Sequence, residues 1–325
     1  MSVTRAQAIG CGHYLPARII TNDELSERIE TSDDWIRTRS GIRQRHVAAD
    51  DEKTSDLAIN AARAALENAG IEASTLDALV IATTTPDQTF PSTATRVQHA
   101  IGMTTGFAFD IQAVCAGFMY ALANANGLIL SGMARRVMVI GAETFSRILD
   151  WEDRSTCVLF GDGAGAVILD AIDGDGGPGD RGILGTCLHS NGSFNEILYV
   201  DGGPSETQTT GFVQMEGKEV FKHAVQKLAA VAEEVIEKVG VSGDDIDWMV
   251  PHQANLRIIE GTAKRAGLDM EKVVVTVQDH GNTSAASIPL ALSIAVRDGR
   301  IQPGHLILME GIGGGLAWGS ALLRW

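Results

Sequence analysis

Short apolar runs alternate along this chain with longer segments in which apolar residues recur at helical spacing. The runs predict buried strands, and the periodic segments predict helices. Strands are predicted at residues 77–83, from 107, at 136–142, 247–252, 273–277 and 305–311, with two more segments around a glycine turn within 157–169. Helices are predicted at residues 54–70, 94–100, 116–131, 219–239 and 254–266, and another opens after residue 281. This alternation is typical of mainly parallel sheets covered by helices, so we expect an α/β protein.

The order of elements in the first half recurs in the second at an offset of 170 residues. The matching positions are Gly70 and Gly240, Asp77 and Asp247, and Val80 and Val250. A few identities arise easily by chance, so the shared order of helix, glycine, aspartate and strand is the stronger signal. A duplicated α/β unit predicts two similar halves, residues 1–170 and 171–325, with a site at their junction near strand C-termini.

Composition narrows the class of protein. The 325 residues are 45% hydrophobic and 21% charged, and the formal net charge of -15 argues against a general nucleic-acid binder, although not against a local basic patch. No apolar run approaches the roughly 18 residues of a membrane span, and the first residues lack an apolar signal core. We therefore expect a cytoplasmic protein without a membrane partner.

Cys115 differs from the other three cysteines. Cys11, Cys157 and Cys187 lie in or beside apolar runs, where packing is their expected role, and no pair has metal or redox spacing. Cys115 lies between a predicted strand and a predicted helix, where the helix dipole favours a nucleophilic thiolate. The alternative is one more buried cysteine, a residue type that is often internal.

Two polar residues of the second half could join Cys115. His252 ends a predicted strand, and Asn282 precedes a predicted helix. A cysteine with a histidine and an asparagine elsewhere in the chain is a candidate nucleophilic site. Papain-like proteases use these residue types, but no protease-type sequence surrounds Cys115. Taken singly, His252 or Asn282 is more often a structural polar group.

An aromatic and basic segment covers residues 31–46. Trp35 with Arg37 or Arg39 could stack on a nucleotide base and hold phosphates. From the residues alone, a solvated loop with one anchoring tryptophan is the simpler interpretation.

Four motifs, in order, carry a resemblance to a known family. They are Ala113-Val-Cys-Ala-Gly-Phe, Pro251-His-Gln-Ala-Asn-Leu-Arg-Ile, Gly281-Asn-Thr-Ser-Ala-Ala-Ser and Gly313-Gly-Gly-Leu-Ala-Trp-Gly-Ser. The chain resembles the β-ketoacyl-acyl carrier protein synthase III enzymes, which are thiolase-like condensing enzymes, nearly from end to end. The resemblance implies a thiolase-like fold of two duplicated βαβαβαββ halves in a five-layered αβαβα architecture.

The resemblance also implies a reaction and its substrates. An acyltransferase of this family condenses an acyl-CoA primer, expected here to be acetyl-CoA, with malonyl-acyl carrier protein. The reaction initiates fatty-acid biosynthesis. A cysteine thioester carries the primer, and no metal or redox cofactor takes part. The family resemblance further implies a homodimer.

Residue roles follow by motif, again as what the resemblance implies. Cys115 is the nucleophile, His252 and Asn282 support decarboxylation, and the N–H groups of Cys115 and Gly314 form an oxyanion hole. The remaining assignments are coenzyme A binding by Trp35, Arg39, Arg154 and Asn255, the primer pocket at Phe90, and a carrier-protein patch of Lys222, Arg257, Lys264 and Arg265. Lys218 departs from relatives that have an asparagine contacting coenzyme A there. Simpler alternatives are a core-packed loop anchor for Phe90 and a solvated helix face for the patch.

Other functions in the same fold remain open on the residues. A specialised acyltransferase of secondary metabolism would differ in primer, which Phe90 alone cannot decide. A catalytically dead carrier-protein-binding module is disfavoured because all three catalytic candidates are present. A hydroxymethylglutaryl-type synthase would need an acidic base near the nucleophile, and no motif for one is visible. A thiolase would need a second cysteine near the C-terminus, and residues 313–319 contain none.

Overall fold

The computed structural model describes residues 2–325, so that Met1 of the predicted N-terminal half lies outside it. The strands are β1 (Val3–Tyr14), β2 (Arg18–Thr21), β3 (Gln44–Val47), β4 (Ala78–Ala82), β5 (Phe107–Ile111), β6 (Arg136–Glu143), β7 (Gly163–Gly174), β8 (Gly182–Ser190), β9 (Leu198–Val200), β10 (Val213–Met215), β11 (Trp248–Pro251), β12 (Leu306–Gly313) and β13 (Ala317–Arg324). The helices are α1 (Asn22–Ser26), α2 (Asp33–Ser40), α3 (Thr54–Ala69), α4 (Thr93–Ala100), α5 (Gly117–Leu130), α6 (Gly217–Val239), α7 (Leu256–Arg265), α8 (Val277–His280) and α9 (Ser287–Arg297).

Two larger sheets share one strand order. The first sheet runs β1-β7-β6-β4-β5, and the second runs β8-β13-β12-β11. Beyond β11, an isolated parallel bridge joins Val273 to Met249 in the position that β5 holds beside β4. In each sheet, the strand that comes first along the chain pairs with the strand that comes last. The parallel strands of each sheet lie towards the edge away from that pair.

Helices and sheets form five layers. Helices α5 and α9 lie between the two sheets, where Phe118 and Leu292 pack with strand residues such as Val139 and Met309. Helices α3 and α4 cover the outer face of the first sheet. Helices α6 and α7 cover the outer face of the second. Strands with both faces covered explain the continuous apolar runs of the sequence.

Matching residues of the two halves have matching structural roles. Gly70 ends α3 and Gly240 ends α6, both in the left-handed conformation that glycine adopts without strain. The Asp77 carboxylate accepts the backbone N–H of Arg136, and the Asp247 carboxylate accepts that of Leu306. Each aspartate thus ties the strand that follows it to a parallel neighbour. A boundary at residue 170 remains a prediction, and β7 runs four residues beyond that position.

Backbone strain also repeats at the offset of 170 residues. Val114, just before Cys115, has φ 49°, and Ser284 has φ 50°. Positive φ is an outlier for a β-branched residue and persists only where surrounding structure holds it. These strained positions open the short turns that lead into α5 and α9, so both central helices begin at a sharp bend.

Three predicted segments differ in the structure. Residues 157–162 form a turn before one long β7, because Asp162 accepts N–H groups of Ala48 and Ser146 instead of joining a strand. Residues 273–277 form a single β-bridge instead of the predicted strand, because the N–H groups of Thr276 and Val277 donate to the Gln253 side chain. Residues 33–40 are helical rather than a solvated loop.

Candidate active site

Cys115 lies in a buried turn at the start of α5, with only 4% of its surface exposed. The end of β12 packs directly against its backbone. A Cβ added at Gly313 would come within 2.6 Å of the Cys115 nitrogen, and one at Gly311 within 3.2 Å of its carbonyl oxygen. Glycine at these positions allows β12 to approach the Cys115 segment closely, and the role predicted for the next residue, Gly314, stays a prediction.

Burial acts against the thiolate predicted from the helix position. It raises the pKa of the Cys115 thiol to about 12, while a hydrogen bond with Ser284 lowers the pKa and the negative charge of Glu143 raises it. Loss of solvent thus opposes the effect of the helix start on the thiol pKa, and the thiolate predicted from the helix position stays a prediction.

His252 follows β11 and is 3% exposed. Its Nδ1 lies 2.6 Å from the Ser287 hydroxyl, and that hydroxyl also accepts the N–H of Gln253 at 3.3 Å. A Ser287 hydroxyl that donates to Nδ1 leaves the proton of the neutral ring on Nε2, whereas one that accepts from Nδ1 leaves Nε2 without a proton. Burial lowers the pKa of His252 to about 3, so the ring stays neutral.

Asn282 is held by both main chain and side chain. Its N–H donates to Leu159, its carbonyl accepts from Gly161, and its Oδ1 accepts the Ser284 N–H at 2.9 Å. Among residues 2–325 no hydrogen bond from its Nδ2 to protein is present. The fixed Oδ1 orients Nδ2 as the remaining donor.

The three side chains come from segments that touch one another. The His252 N–H donates to the Glu310 carbonyl of β12 at 2.8 Å, and β12 also packs on Cys115. The turn after Asn282 reaches the start of α5, where a Cβ on Gly117 would lie 3.4 Å from that of Ala285. Residues distant in sequence thus meet between the two sheets.

An acidic residue that the sequence motifs did not predict lies close to Cys115. Glu143, at the end of β6, is fully buried, and one of its oxygens accepts the Ser284 hydroxyl at 3.1 Å. Burial raises its pKa to about 7, against hydrogen bonds that lower it. No local motif marks it, although an acidic residue ending an apolar strand is a weak signal.

Two arginines lie over the ring of Trp35. The Arg39 guanidinium carbon lies 4.4 Å from the ring centroid, and that of Arg154 lies 4.8 Å from it. Arg154 also donates to the carbonyl of Glu30. A base stacked between Trp35 and Arg154 would need a separation of roughly 7 Å, twice a contact distance, so Arg154 must move for that stacking.

The coenzyme A candidate Asn255 and the departing residue Lys218 both lie at helix starts. Asn255 caps α7, because its Oδ1 accepts the Ile258 N–H at 2.9 Å, and this role alone explains its side chain. Lys218 is exposed in the first turn of α6. Asn255 is half-buried, and its contact with coenzyme A stays a prediction.

Phe90 is 82% exposed on the loop between β4 and α4, which excludes a core-packed anchor within one chain. The adjacent β5 is an edge strand of the first sheet, and its residues Phe107 and Phe109 are half-buried. An exposed phenylalanine beside an open apolar strand edge is unusual for a free surface.

The basic residues of the predicted carrier-protein patch lie on adjoining helices. Lys222 is exposed on α6, and Arg257, Lys264 and Arg265 are exposed on α7. Arg257 lies in the first turn of α7, where a cation is disfavoured by the dipole, and its guanidinium carbon is 5.6 Å from the Phe221 ring centroid. Lys264 and Arg265 lie in the last turn, where the dipole favours them.

Within residues 2–325, no helix is both long enough and apolar enough to cross a membrane. Within the same residues, no cluster of three or more histidine, cysteine or acidic side chains could hold a metal ion.

Two family models match the chain. Residues 109–192 match 3-oxoacyl-[acyl-carrier-protein] synthase III, and residues 236–325 match the C-terminal part of the same enzyme. Among similar proteins, a β-ketoacyl-[acyl-carrier-protein] synthase III of Jannaschia sp. (strain CCS1) is 63% identical, covering 99% of this chain and all of that protein.

Solved structures show the same architecture. A 3-oxoacyl-[acyl-carrier-protein] synthase III from Aquifex aeolicus VF5 is 45% identical with a TM-score of 0.92, covering 98% of this chain and 100% of its own. The priming β-ketosynthase of the R1128 polyketide pathway also has a TM-score of 0.92, at 36% identity, covering 99% of this chain and 97% of its own. The fold is thiolase-like, and the chain belongs to the β-ketoacyl-[acyl-carrier-protein] synthase III family of acyltransferase-type condensing enzymes.

Proposed function

We propose that this protein catalyses the initiating condensation of fatty-acid synthesis, joining an acyl-CoA primer to malonyl-acyl carrier protein with loss of carbon dioxide. Full-length relatives of the same named activity support the reaction. Acetyl-CoA is the proposed primer. The single observation that carries the mechanism is the buried His252, whose Nδ1 lies 2.6 Å from the Ser287 hydroxyl. In the proposal that hydroxyl donates to Nδ1, so that Nε2 keeps its proton.

In the first step, Cys115 attacks the primer thioester. The negative charge on the thioester oxygen would be stabilised by the N–H groups of Cys115 and Gly314, which the close packing of Gly313 brings near each other. Coenzyme A leaves and the primer remains as a thioester on Cys115. The thiol pKa of about 12 makes proton removal part of this step.

In the second step, malonyl-carrier protein loses carbon dioxide and its carbanion attacks the Cys115 thioester. Negative charge then builds on the malonyl thioester oxygen. His252 Nε2–H and Asn282 Nδ2–H supply two fixed neutral donors for that oxygen, which is the requirement for stabilising a developing oxyanion. This chemistry needs no metal or redox cofactor, because the leaving carboxylate supplies the electron pair.

Substrate contacts extend from this centre. Trp35 with Arg39 and Arg154 would bind the adenine of coenzyme A once Arg154 moves away from the ring, with Asn255 nearby. The basic face of α6 and α7 would receive the acidic carrier protein, because complementary charge steers association.

A homodimer is part of the proposal. It would cover the open edge of β5 and bury Phe90, which would then reach into the partner's primer pocket. A cytoplasmic location also belongs to it, since all four cysteines are free thiols, as expected in a reducing compartment.

A specialised priming synthase is the second candidate, because the R1128 enzyme has the same fold. Its identity to this chain is 36%, whereas relatives named β-ketoacyl-[acyl-carrier-protein] synthase III reach 63% or 64% over nearly the whole chain. The initiating condensation is therefore favoured.

The test is intact-protein mass spectrometry after incubation with a panel of acyl-CoA thioesters, followed by malonyl-carrier protein. We expect an acetyl adduct on the wild type and none on Cys115→Ser. His252→Ala and Asn282→Ala should form the adduct but lose its discharge by about 100-fold or more, since each removes one oxyanion donor. Normal condensation by His252→Ala would contradict the role of His252, and a preference for long or aromatic primers would favour the specialised enzyme.

A further inference from the structure

Arg45 on β3 is the largest fully buried side chain of the described residues, and it carries a charge. Its guanidinium donates to the Ile20 carbonyl at 3.0 Å, to the Asn22 Oδ1 at 2.9 Å and to the Val158 carbonyl at 2.8 Å. Within residues 2–325 no carboxylate forms an ion pair with it, and its Nε has no hydrogen-bond partner.

A buried positive charge without a carboxylate is costly, because burial removes its hydration. Burial lowers the pKa of Arg45 to about 10, so the guanidinium still keeps its charge at neutral pH. Charge-assisted hydrogen bonds to neutral oxygens offset part of this cost, and the planar fork of arginine can reach acceptors on separate segments at once. The arrangement therefore favours a role in holding those segments at fixed positions.

One of these segments, the turn before β7, holds Asn282. The Asn282 N–H donates to the Leu159 carbonyl at 2.8 Å, and the Gly161 N–H donates to the Asn282 carbonyl at 3.0 Å. Arg45 holds the carbonyl of Val158, which directly precedes Leu159. The turn therefore binds the Asn282 backbone next to the point where Arg45 holds the turn.

The Arg45 side chain also packs directly against both sides of this contact. A Cβ added at Gly161 would lie 3.0 Å from the Arg45 Cβ, and one added at Gly281 would lie 3.1 Å from it. The glycines allow this close approach because they have no side chain. Arg45 thus contacts the turn and also the residue that precedes Asn282.

The loop that carries Asn282 depends on support from its surroundings. Ser284 has φ 50°, a conformation that a non-glycine residue keeps only where the surrounding structure holds it. The Ser284 N–H donates to Asn282 Oδ1 and orients the side chain, whereas the turn before β7 fixes the backbone. A shift of that turn would therefore move Asn282 Nδ2.

The second segment held by Arg45 leads to the coenzyme A candidates. Asn22 Nδ2 donates to Asp33 Oδ1 at 2.9 Å and to the Ile42 carbonyl at 2.7 Å. Asp33 is the first residue of α2, the helix that contains Trp35. A change at Arg45 can therefore affect coenzyme A binding as well, and the experiment must measure the second step separately.

We propose that Arg45 is a positioning residue for the decarboxylation step. By holding the Val158 carbonyl, it fixes the turn that binds the Asn282 backbone, and so it keeps Asn282 Nδ2 directed at the malonyl thioester oxygen. Arg45 acts through Asn282 and not on the substrate. This inference rests on the proposed role of Asn282 in stabilising that oxygen.

The test measures discharge of preformed acetyl-enzyme by malonyl-carrier protein in a single turnover, with rapid quenching and intact mass spectrometry. Starting from acetyl-enzyme removes any effect on coenzyme A binding. Arg45→Met keeps a long side chain but removes every donor. We expect its discharge at saturating carrier protein to be about 10- to 100-fold slower, because a small misplacement of a stabilising group has an effect of this size. The yield of acetyl adduct at saturating acetyl-CoA should equal that of the wild type.

A second background separates positioning from general destabilisation. If Arg45 acts through Asn282, Arg45→Met should slow the discharge of Asn282→Ala no further, since the donor that it positions is already absent. A purely structural loss would slow both backgrounds by the same factor.

Arg136→Met is the matched control. Arg136 is a partly buried arginine at the start of β6, at the end of the first sheet away from Cys115, and its Nε also has no partner among the described residues. Its discharge rate should stay within about twofold of the wild-type rate, because it contacts neither the turn nor the Asn282 loop.

Arg45→Lys decides the matter if Arg45→Met fails to fold by circular dichroism. Its ammonium keeps the charge but lacks the guanidinium fork that reaches both segments, so discharge should again slow while the yield of acetyl adduct is unchanged. A wild-type discharge rate in the folded Arg45 variant, or an equal loss in the Asn282→Ala background, overturns the proposal. Normal discharge by Asn282→Ala itself would instead overturn the proposed function of Asn282.

Discussion

At the scale of single residues, small side chains let three backbone segments meet around Cys115. Gly311 and Gly313 bring β12 against the nucleophile, and Gly117 lets α5 approach Ala285. Val114 and Ser284 carry the strain of the two bends. Strain and close backbone approach concentrate at functional sites, because the surrounding structure must hold the reacting groups in place.

Gly313→Ala should slow acylation strongly and lower the free energy of unfolding only moderately. The new Cβ would lie 2.6 Å from the Cys115 nitrogen and 2.8 Å from the Ala113 carbonyl oxygen, so the oxyanion N–H must move. We expect acyl adduct formation to slow by about 100-fold or more, as for the loss of one oxyanion donor, with a destabilisation of about 1–3 kcal/mol. Mass spectrometry and urea unfolding measure the two effects.

Gly127→Ala is the matched control. Gly127 lies in α5, the helix that Cys115 precedes, with nothing within 4 Å of an added Cβ. It should stabilise the protein by about 0.5–1 kcal/mol through helix propensity and leave acylation unchanged. If Gly313→Ala acylated as fast as Gly127→Ala, the assignment of the Cys115 N–H to the oxyanion hole would be wrong.

At the scale of elements, α7 presents its charges in two ways. The helix dipole disfavours the positive charge of Arg257 in the first turn. It favours the positive charges of Lys264 and Arg265 in the last turn. The apolar face of the same helix packs Ile259 and Ala263 into the outer core. The exposed face is therefore free to change without loss of packing.

Lys264→Glu combined with Arg265→Glu should weaken use of the carrier protein but not acylation by acetyl-CoA. Reversing two charges should lower kcat/KM for malonyl-carrier protein about tenfold at low salt and less at high salt, because the steering is electrostatic. Arg63→Glu, on α3 of the opposite outer layer, is the control and should change kcat/KM less than twofold. Equal effects of the two changes would rule out a localised patch.

At the scale of the whole molecule, buried titratable groups set the pH range of stability. His252 and His280 have pKa values lowered to about 3 by burial, so between pH 3 and 6.5 the unfolded chain binds more protons. Stability therefore falls as pH drops through that window. Glu143 and Glu310 have pKa values raised to about 7 and 8 by burial, so stability falls as pH rises from 4.5 through those values.

Between pH 4.5 and 6.5 the two histidines and the two glutamates change the free energy of unfolding in opposite directions. We therefore expect a plateau in that free energy over this range. Above pH 6.5 only the glutamates remain, and stability should fall by roughly 1–2 kcal/mol towards pH 8, at about 1.4 kcal/mol per proton and pH unit. Urea unfolding at several pH values measures this. Glu310→Gln should reduce the fall above pH 6.5, and an unchanged slope would contradict the raised pKa of Glu310.

The fold was largely predictable from local pattern. Buried strands have continuous apolar sequences, and surface helices have periodic apolar residues. The sequence therefore predicted the α/β class and the repeated order of elements. The 273–277 segment was misassigned because its N–H groups bond to the side chain of Gln253, more than 20 residues away in sequence. The helix at 33–40 was missed although Ser32 and Gly41 cap it, because its exposed polar residues resemble a loop.

The amino-acid sequence by itself determined which residues are available for chemistry: a cysteine at a strand-to-helix bend, a histidine at a strand end, an asparagine before a helix and glycines that permit close approach. Motif order also determined the family. Only the tertiary structure decided their protonation and their neighbours, because desolvation depends on what surrounds a group. Burial raises the pKa of the Cys115 thiol and lowers that of His252, and the fold brings Glu143 to Ser284 from 141 residues away.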